Sequence, residues 1–257
     1  MRKQILFGYI VLSLLLANCA SSNASKENQI SEKDGMQLVY IPAGEFVMGS
    51  AENDPDAADD EKPQHNVYLD AYWIDKTEVT NGMYNQCLEE GACTLPVLPS
   101  EAFYQEPNQP VQGLAWTQAA AYCAWAGRRL PTEAEWEKAA RGTDGRLFPW
   151  GNTLLDEPTA NYDFLFNQFT NVGSFELGAS PYGVMDMAGN VWEWTADWYD
   201  ENYYANSPYE NPTGPESGTI KSIRGGAWNT VLRAIRVTNR HWAFPERDDI
   251  VGFRCAK

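Results

Sequence analysis

Residues 120–142 read AAYCAWAGRRLPTEAEWEKAARG, and the shortness of the elements they encode decides the class of fold. Thr132 and Glu135 have capping-box spacing, so a helix is expected over Glu133–Arg141, with Gly142 to end it. Upstream, Thr117 is placed to cap Gln118–Ala126, with Gly127 after it. There Ala119, Tyr122, Cys123 and Ala126 fall at i, i+3, i+4 and i+7, which puts Cys123 on the buried face. Thr80 likewise suits a cap for Asn81–Glu90, stopped by Gly91. These helices are short and do not alternate with strands. That argues against a parallel α/β sheet and for an irregular α+β domain.

Around the helices the pattern is strand-like. VYIPAGEFVMGS (39–50) carries a Pro-Ala-Gly turn between apolar runs and suggests a hairpin, and HNVYLDAYWIDKTEV (65–79) alternates like a strand pair. Between them AENDPDAADDEKP (51–63) holds six acids and nothing apolar larger than alanine, which reads as a solvated loop. After Gly151 the chain is rich in Gly, Asn, Pro and aromatics. Ten tryptophans and thirteen tyrosines can pack a domain with few long elements. Trp192, Trp194 and Trp198 are expected in its core.

The first nineteen residues have the marks of an export signal. Arg2 and Lys3 precede a twelve-residue apolar run, Ile5–Leu16, too short to span a bilayer comfortably. Leu16-Ala17-Asn18-Cys19 then resembles a lipobox, so Cys19 is expected to carry lipid, although Asn18 stands where a small residue is usual. Residues 20–35 are polar and small and are expected to be a flexible tether. The exported domain would then be residues 36–257, attached to the bacterial cell envelope at the outer membrane or periplasm. A formal net charge of −16 excludes nucleic acid as the main partner.

Four cysteines remain beyond Cys19, and four permit three pairings. Cys87 and Cys93 can close a small local ring, which leaves Cys123 to join Cys255 across most of the domain. Export favours bridging over free thiols. Six arginines, 224, 233, 236, 240, 247 and 254, crowd the C-terminal end of an acidic chain. Two readings stand. They form a groove for an acidic peptide or glycan acid, with Trp228, Arg233, Arg236 and Trp242 as candidate lining, or they pair internally with Glu78, Glu135, Glu193 and their neighbours. Residues 223–237, IRGGAWNTVLRAIRV, read as a tight turn feeding a strand, with no cysteine, histidine or acid.

VYIPAGEFVMGS, IDKTEVTNGMY, AAYCAWAGRRLPTEAEWEKAARG, FPWGN, YGVMDMAGNVWEWTADWY, RGGAW and VGFRCA together, in this order, resemble the formylglycine-generating enzyme, or sulfatase-modifying factor, domain family. The resemblance implies one compact domain of C-type-lectin-like topology with little regular secondary structure. Oxidase members hold copper between two cysteines placed after the Gly-Gly-aromatic turn. Those positions are Thr230 and Ile235 here, a hydroxyl and a hydrocarbon where monovalent copper asks for thiolates. The resemblance also implies a Cys123–Cys255 bridge, and Cys87–Cys93 resembles a pair found in bacterial relatives. It implies a structural calcium held by Asp186, the Gly189 and Val191 carbonyls and Glu193, and a weaker second site at Asn161 and Tyr162, where Asp163 could stand in for an acidic partner. The function expected is a ligand- or protein-binding or envelope-assembly module without copper oxidase activity. The alternative is an oxidase of exported proteins working through other residues.

Overall fold

The computed structural model describes residues 29–99, 103, 105–246 and 249–257. The export segment, Cys19 and Arg247 lie outside them. Among the described residues three α-helices have defined bounds: α1, Asn81–Glu89; α2, Trp116–Trp125; and α3, Glu133–Arg141. For α1 and α3 the threonine caps form as expected, Thr80 Oγ1 accepting from Met83 N and Thr132 Oγ1 from Glu135 N. Thr117 does not cap α2. The helix begins one residue before it, and Gln118 Oε1 instead accepts from Ala115 N.

The strands are β1 (Gln29–Ile30), β2 (Gln37–Ile41), β3 (Gly44–Met48), β4 (His65–Leu69), β5 (Tyr72–Asp75), β6 (Trp192–Trp198), β7 (Lys221–Arg224), β8 (His241–Ala243) and β9 (Val251–Phe253). The expected 39–50 hairpin does not form. β3 pairs with β4 and β2 with β5, so one antiparallel pair is nested inside the other. The turn at Pro42 hands the chain from one sheet to another, a choice made by contacts that sequence alternation does not encode. A four-stranded sheet in the order β8-β7-β6-β9, with β6 and β9 parallel, organises the C-terminal half.

The tether expectation also needs correction. Residues 29–30 add a strand to β2, and buried Asp34 accepts from Tyr122 Oη at 2.7 Å and pairs with Arg128. The ordered domain therefore starts before residue 36. The acidic loop is pinned too, because Glu61 is buried and accepts from Ser50 and Thr238 hydroxyls at 2.8 and 2.9 Å.

All of α3 is buried. Its polar face meets β7, where Arg224 donates to Glu133 and Glu137, both at 2.8 Å, while Arg240 holds both oxygens of Glu133. Trp136 and Trp194 fill the two sides of the core, and their indole N–H groups reach Glu193 and the Leu114 carbonyl. Disulfides join Cys87 to Cys93 and Cys123 to Cys255. The second ties α2 to the C-terminal strand region.

Candidate functional site

The Gly225-Gly226 turn leaves β7 with both glycines at positive φ. A Cβ on Gly226 would lie 2.7 Å from Ile235 Cγ2 and 3.0 Å from Thr230 Oγ1, so only glycine fits there. Those distances place the Thr230 and Ile235 side chains around one point. Neither has a donor to spare for a soft metal. The Thr230 hydroxyl accepts from Ala227 N at 2.9 Å and donates to Ala227 O at 2.8 Å, closing its own turn. Ile235 is fully buried and packs with Phe148, Ala160 and Ala188. All four described cysteines are in disulfides, and the residues do not fit copper.

A second loop touches this turn, with Gly189 N donating to Gly225 O and Trp228 N to Asn190 O. Here polar groups are buried and left over. Glu78, Asp186 and Glu193 share a region of low exposure with one guanidinium, that of Arg254. Arg254 grips Glu193 with two bonds of 2.6 and 2.7 Å, and Trp136 Nε1 adds a third at 2.9 Å. Glu78 Oε1 accepts from Asn190 Nδ2 at 3.0 Å, while its Oε2 is buried without a partner. Burial, with Asp186 and Glu193 nearby, pushes the Glu78 carboxyl well above the usual range; burial likewise raises Asp186. Among the described residues the Gly189 and Val191 carbonyls accept no hydrogen bond.

With the glycine turn, the adjoining Asp-Gly-Val-Glu loop and the fold in place, comparison with known proteins is decisive. Residues 23–257 match the model of the sulfatase-modifying factor enzyme 1-like domain. The formylglycine-generating enzyme of Streptomyces coelicolor is 33% identical over 276 residues, covering 85% of this chain and 88% of the relative. The chain belongs to the sulfatase-modifying factor family. The structure of PvdO from Pseudomonas aeruginosa superposes with a TM-score of 0.77 at 29% identity, covering 90% of this chain and 97% of that one. The serine/threonine-protein kinase pkn1 of Chlamydia caviae is 35% identical over 86% of this chain, but this chain spans only 38% of that protein's length.

The loop carrying Asp186 offers oxygen donors only, the kind a hard cation takes, while among the described residues no three His, Cys, Asp or Glu side chains are gathered as a metal-holding group. Glu193 accepts three hydrogen bonds from Arg254 and Trp136, whereas Glu78 Oε2 accepts no N–H and lies beside the Asp186 carboxyl. Glu78 lies in the IDKTEVTNGMY motif, three residues past the end of β5. At the second position, Asn161 Oδ1 is buried and unpartnered, but the Tyr162 carbonyl already accepts from Leu165 N at 3.0 Å. Asp163 is exposed there, in a left-handed conformation.

The four groove residues are not gathered in one cleft. Arg236 is buried and pairs with Asp54 of the acidic loop, and with Glu61 at 3.8 Å. Trp228 packs edge-on against Phe164 and Phe169. Trp242 packs against Phe244. Only Arg233 lines a cleft, of about 480 Å³, together with Asp59, Asp60, Glu201 and His241. Its Nε donates to the Asp56 carbonyl at 2.7 Å. Internal pairing thus describes Arg224, Arg236, Arg240 and Arg254; Arg254 takes Glu193 as expected, Arg224 takes Glu133 and Glu137 on either side of Glu135, Arg240 takes Glu133, and Arg236 takes Asp54. A groove built on free arginines has no support among the described residues.

Proposed function

We propose that this protein is an exported, lipid-anchored member of the sulfatase-modifying factor family that binds a ligand or envelope partner and does not perform thiolate–copper oxidation. The observation that carries this reading is the closure of the Thr230–Ile235 position. The hydroxyl is consumed by its own turn, and a buried hydrocarbon occupies the place of the second donor. The anchor is expected at Cys19 and the location at the cell envelope, with the −16 charge keeping nucleic acid away. Fold alone names no ligand, so the binding role is read from surfaces that the internal ion pairs leave free.

Calcium is proposed as a structural ion at the Asp186 loop. The Asp186 and Glu78 carboxylates and the Gly189 and Val191 carbonyls would hold it, and hard oxygen donors of this kind suit calcium. Its contribution there would be to neutralise buried acid and join the loop to the segment before α1. A site at Asn161 is proposed as the weaker of the two, because only its side-chain oxygen is free.

The test is a monovalent copper titration of the purified chain, with a count of free thiols and an assay on a cysteine-containing peptide under oxygen. No tight copper binding, no free thiol in the exported domain and no aldehyde product are expected. Conversion of the peptide cysteine to an aldehyde would establish the second reading, an oxidase acting through other residues, which the 33% identity to the Streptomyces enzyme favours. Replacement of Cys19 by serine is expected to release the protein from membranes, and retention would remove the anchor.

A further inference from the structure

Beside the family's reaction centre lies an open groove of about 620 Å³, between residues 105–109 and 166–174. Its walls are tied together. Gln109 Nε2 donates to the Phe169 carbonyl at 3.2 Å, and Val172 N donates to the Asn108 carbonyl at 3.0 Å. The floor is anchored as well, since the Phe169 ring meets Trp228 edge-on with centroids 6.0 Å apart. Phe166 stands on the rim, 41% exposed, its ring braced 5.6 Å from Phe175. A fixed aromatic surface open to water is therefore built into the groove.

The polar lining is nearly uncharged. Gln105, Gln168 and Asn171 present side-chain amides that bond to no other described residue, and among the described lining residues Glu106 is the one ionisable side chain. Each amide offers two donors and one acceptor oxygen, a match for vicinal hydroxyls, which also donate and accept. The C–H face of a sugar ring suits an aromatic plane. Three other ligand classes fit poorly. A polyanion meets no cation here, an extended peptide finds no strand edge to pair with, and a fully apolar ligand would strip the amides of water without replacing it.

We propose that this groove binds a neutral glycan, with Phe166 and Phe169 as the stacking surface and Gln105, Gln168 and Asn171 as hydroxyl partners. The proposal rests on the binding-module reading and names its ligand class. It also moves the binding surface away from the arginines, which are engaged internally.

The test is titration of the full chain in detergent with neutral hexasaccharides of glucose (α- and β-linked) and of mannose, followed by calorimetry and tryptophan fluorescence. A galacturonic acid oligomer and an extended acidic peptide serve as the competing classes. At least one neutral hexamer is expected to bind with a Kd below about 10 mM. Phe166→Ala and Gln168→Ala are each expected to weaken it about tenfold. Phe166→Tyr should retain binding, and Arg233→Ala should leave it unchanged. Phe166 is a rim residue, so the melting temperature of its variants reports whether folding is intact. The proposal is overturned if no neutral hexamer binds, if binding survives both alanine variants, or if the acidic oligomer or the peptide binds more tightly through the same residues. Absence of sugar binding in a chain that also ignores copper removes the glycan and leaves the module; tight copper binding removes the module itself.

Discussion

The Gly225–Ile235 turn and the Asp186–Glu193 loop share two backbone hydrogen bonds, yet they have settled opposite problems. In the first, the Thr230 hydroxyl has found its partners within three residues, and the buried Ile235 hydrocarbon fills the second position. In the second, carboxylates are buried with more negative charge than Arg254 can balance, and a carboxylate oxygen is left bare. An unpaired buried acid destabilises a fold unless it takes up a proton or a cation. The contrast is between a turn whose two key side chains are closed off by local contacts and a neighbouring loop whose buried acids are left short of partners.

Restoring the lost donors gives the largest expected effect. In Thr230→Cys combined with Ile235→Cys, both sulfurs would start from positions that already converge on Gly226. Monovalent copper affinity is expected to rise at least about a thousandfold over the parent, roughly 4 kcal/mol. The measurement is competition against a chelator of known affinity under anaerobic conditions. Unchanged affinity in a folded double variant would mean that the two positions do not converge, and the comparison would break at its first term.

Removing a cation from the second loop comes next. A site holding calcium at about a hundred times its Kd contributes about 2.7 kcal/mol. For a domain of this size that is about 5–10 °C in Tm. Chelation should lower Tm by that amount and calcium should restore it, with magnesium a poor substitute. Glu78→Gln sharpens the result. With calcium present it should remove most of the gain. In chelator it should stabilise the chain by about 1 kcal/mol, because the amide does not have to bury a charge. A melt indifferent to chelator would take calcium out of the loop.

Thr230→Val tests the closed turn. The isostere cannot satisfy the Ala227 amide and carbonyl, so a loss of about 1–2 kcal/mol is expected in denaturant unfolding. A neutral result would mean that the hydroxyl is dispensable to the turn and that its engagement does not explain the missing donor.

How far these sites could be read from sequence depended on how local their causes are. The capping box of α3 involves residues three apart, and it formed as written. Thr117 had the right side chain beside a better local solution, the Gln118 amide reaching back to Ala115. The family motifs located Thr230, Ile235, Asp186 and Gly189 because spacing within a turn survives in the sequence. The rest was set by distant partners. Arg224 chooses Glu133 and Glu137 across more than eighty residues, so the sequence left a groove and internal pairing both open. The nested β2–β5 and β3–β4 pairs are likewise non-local. Glu78 was read only as an arginine partner, because nothing adjacent to it reveals the two other acids that approach it in space.

Asp197 gives a way to separate proton from cation. It is buried on β6, accepts from Glu133 N at 2.8 Å, and is pushed up to about 8 by burial and the nearby Glu133 charge. An unfolded aspartate titrates near about 4. Between those values the folded chain holds a proton that the unfolded chain has released. Stability from this group is therefore complete below about pH 4 and is lost as pH rises through about 8. Asp197→Asn keeps an acceptor for the Glu133 amide without the titration. Relative to the parent, the variant should gain up to about 4 kcal/mol between pH 5 and pH 8 in paired unfolding curves. Background from Asp75, raised to about 7, cancels in that difference. The same difference should appear with and without calcium, because Asp197 answers its burial with a proton and not with the ion proposed at Asp186. Parallel pH profiles for parent and variant would show that Asp197 is ionised throughout. A difference that vanished on chelation would tie it to the acidic loop, and the two ways of burying an acid in this domain would be one.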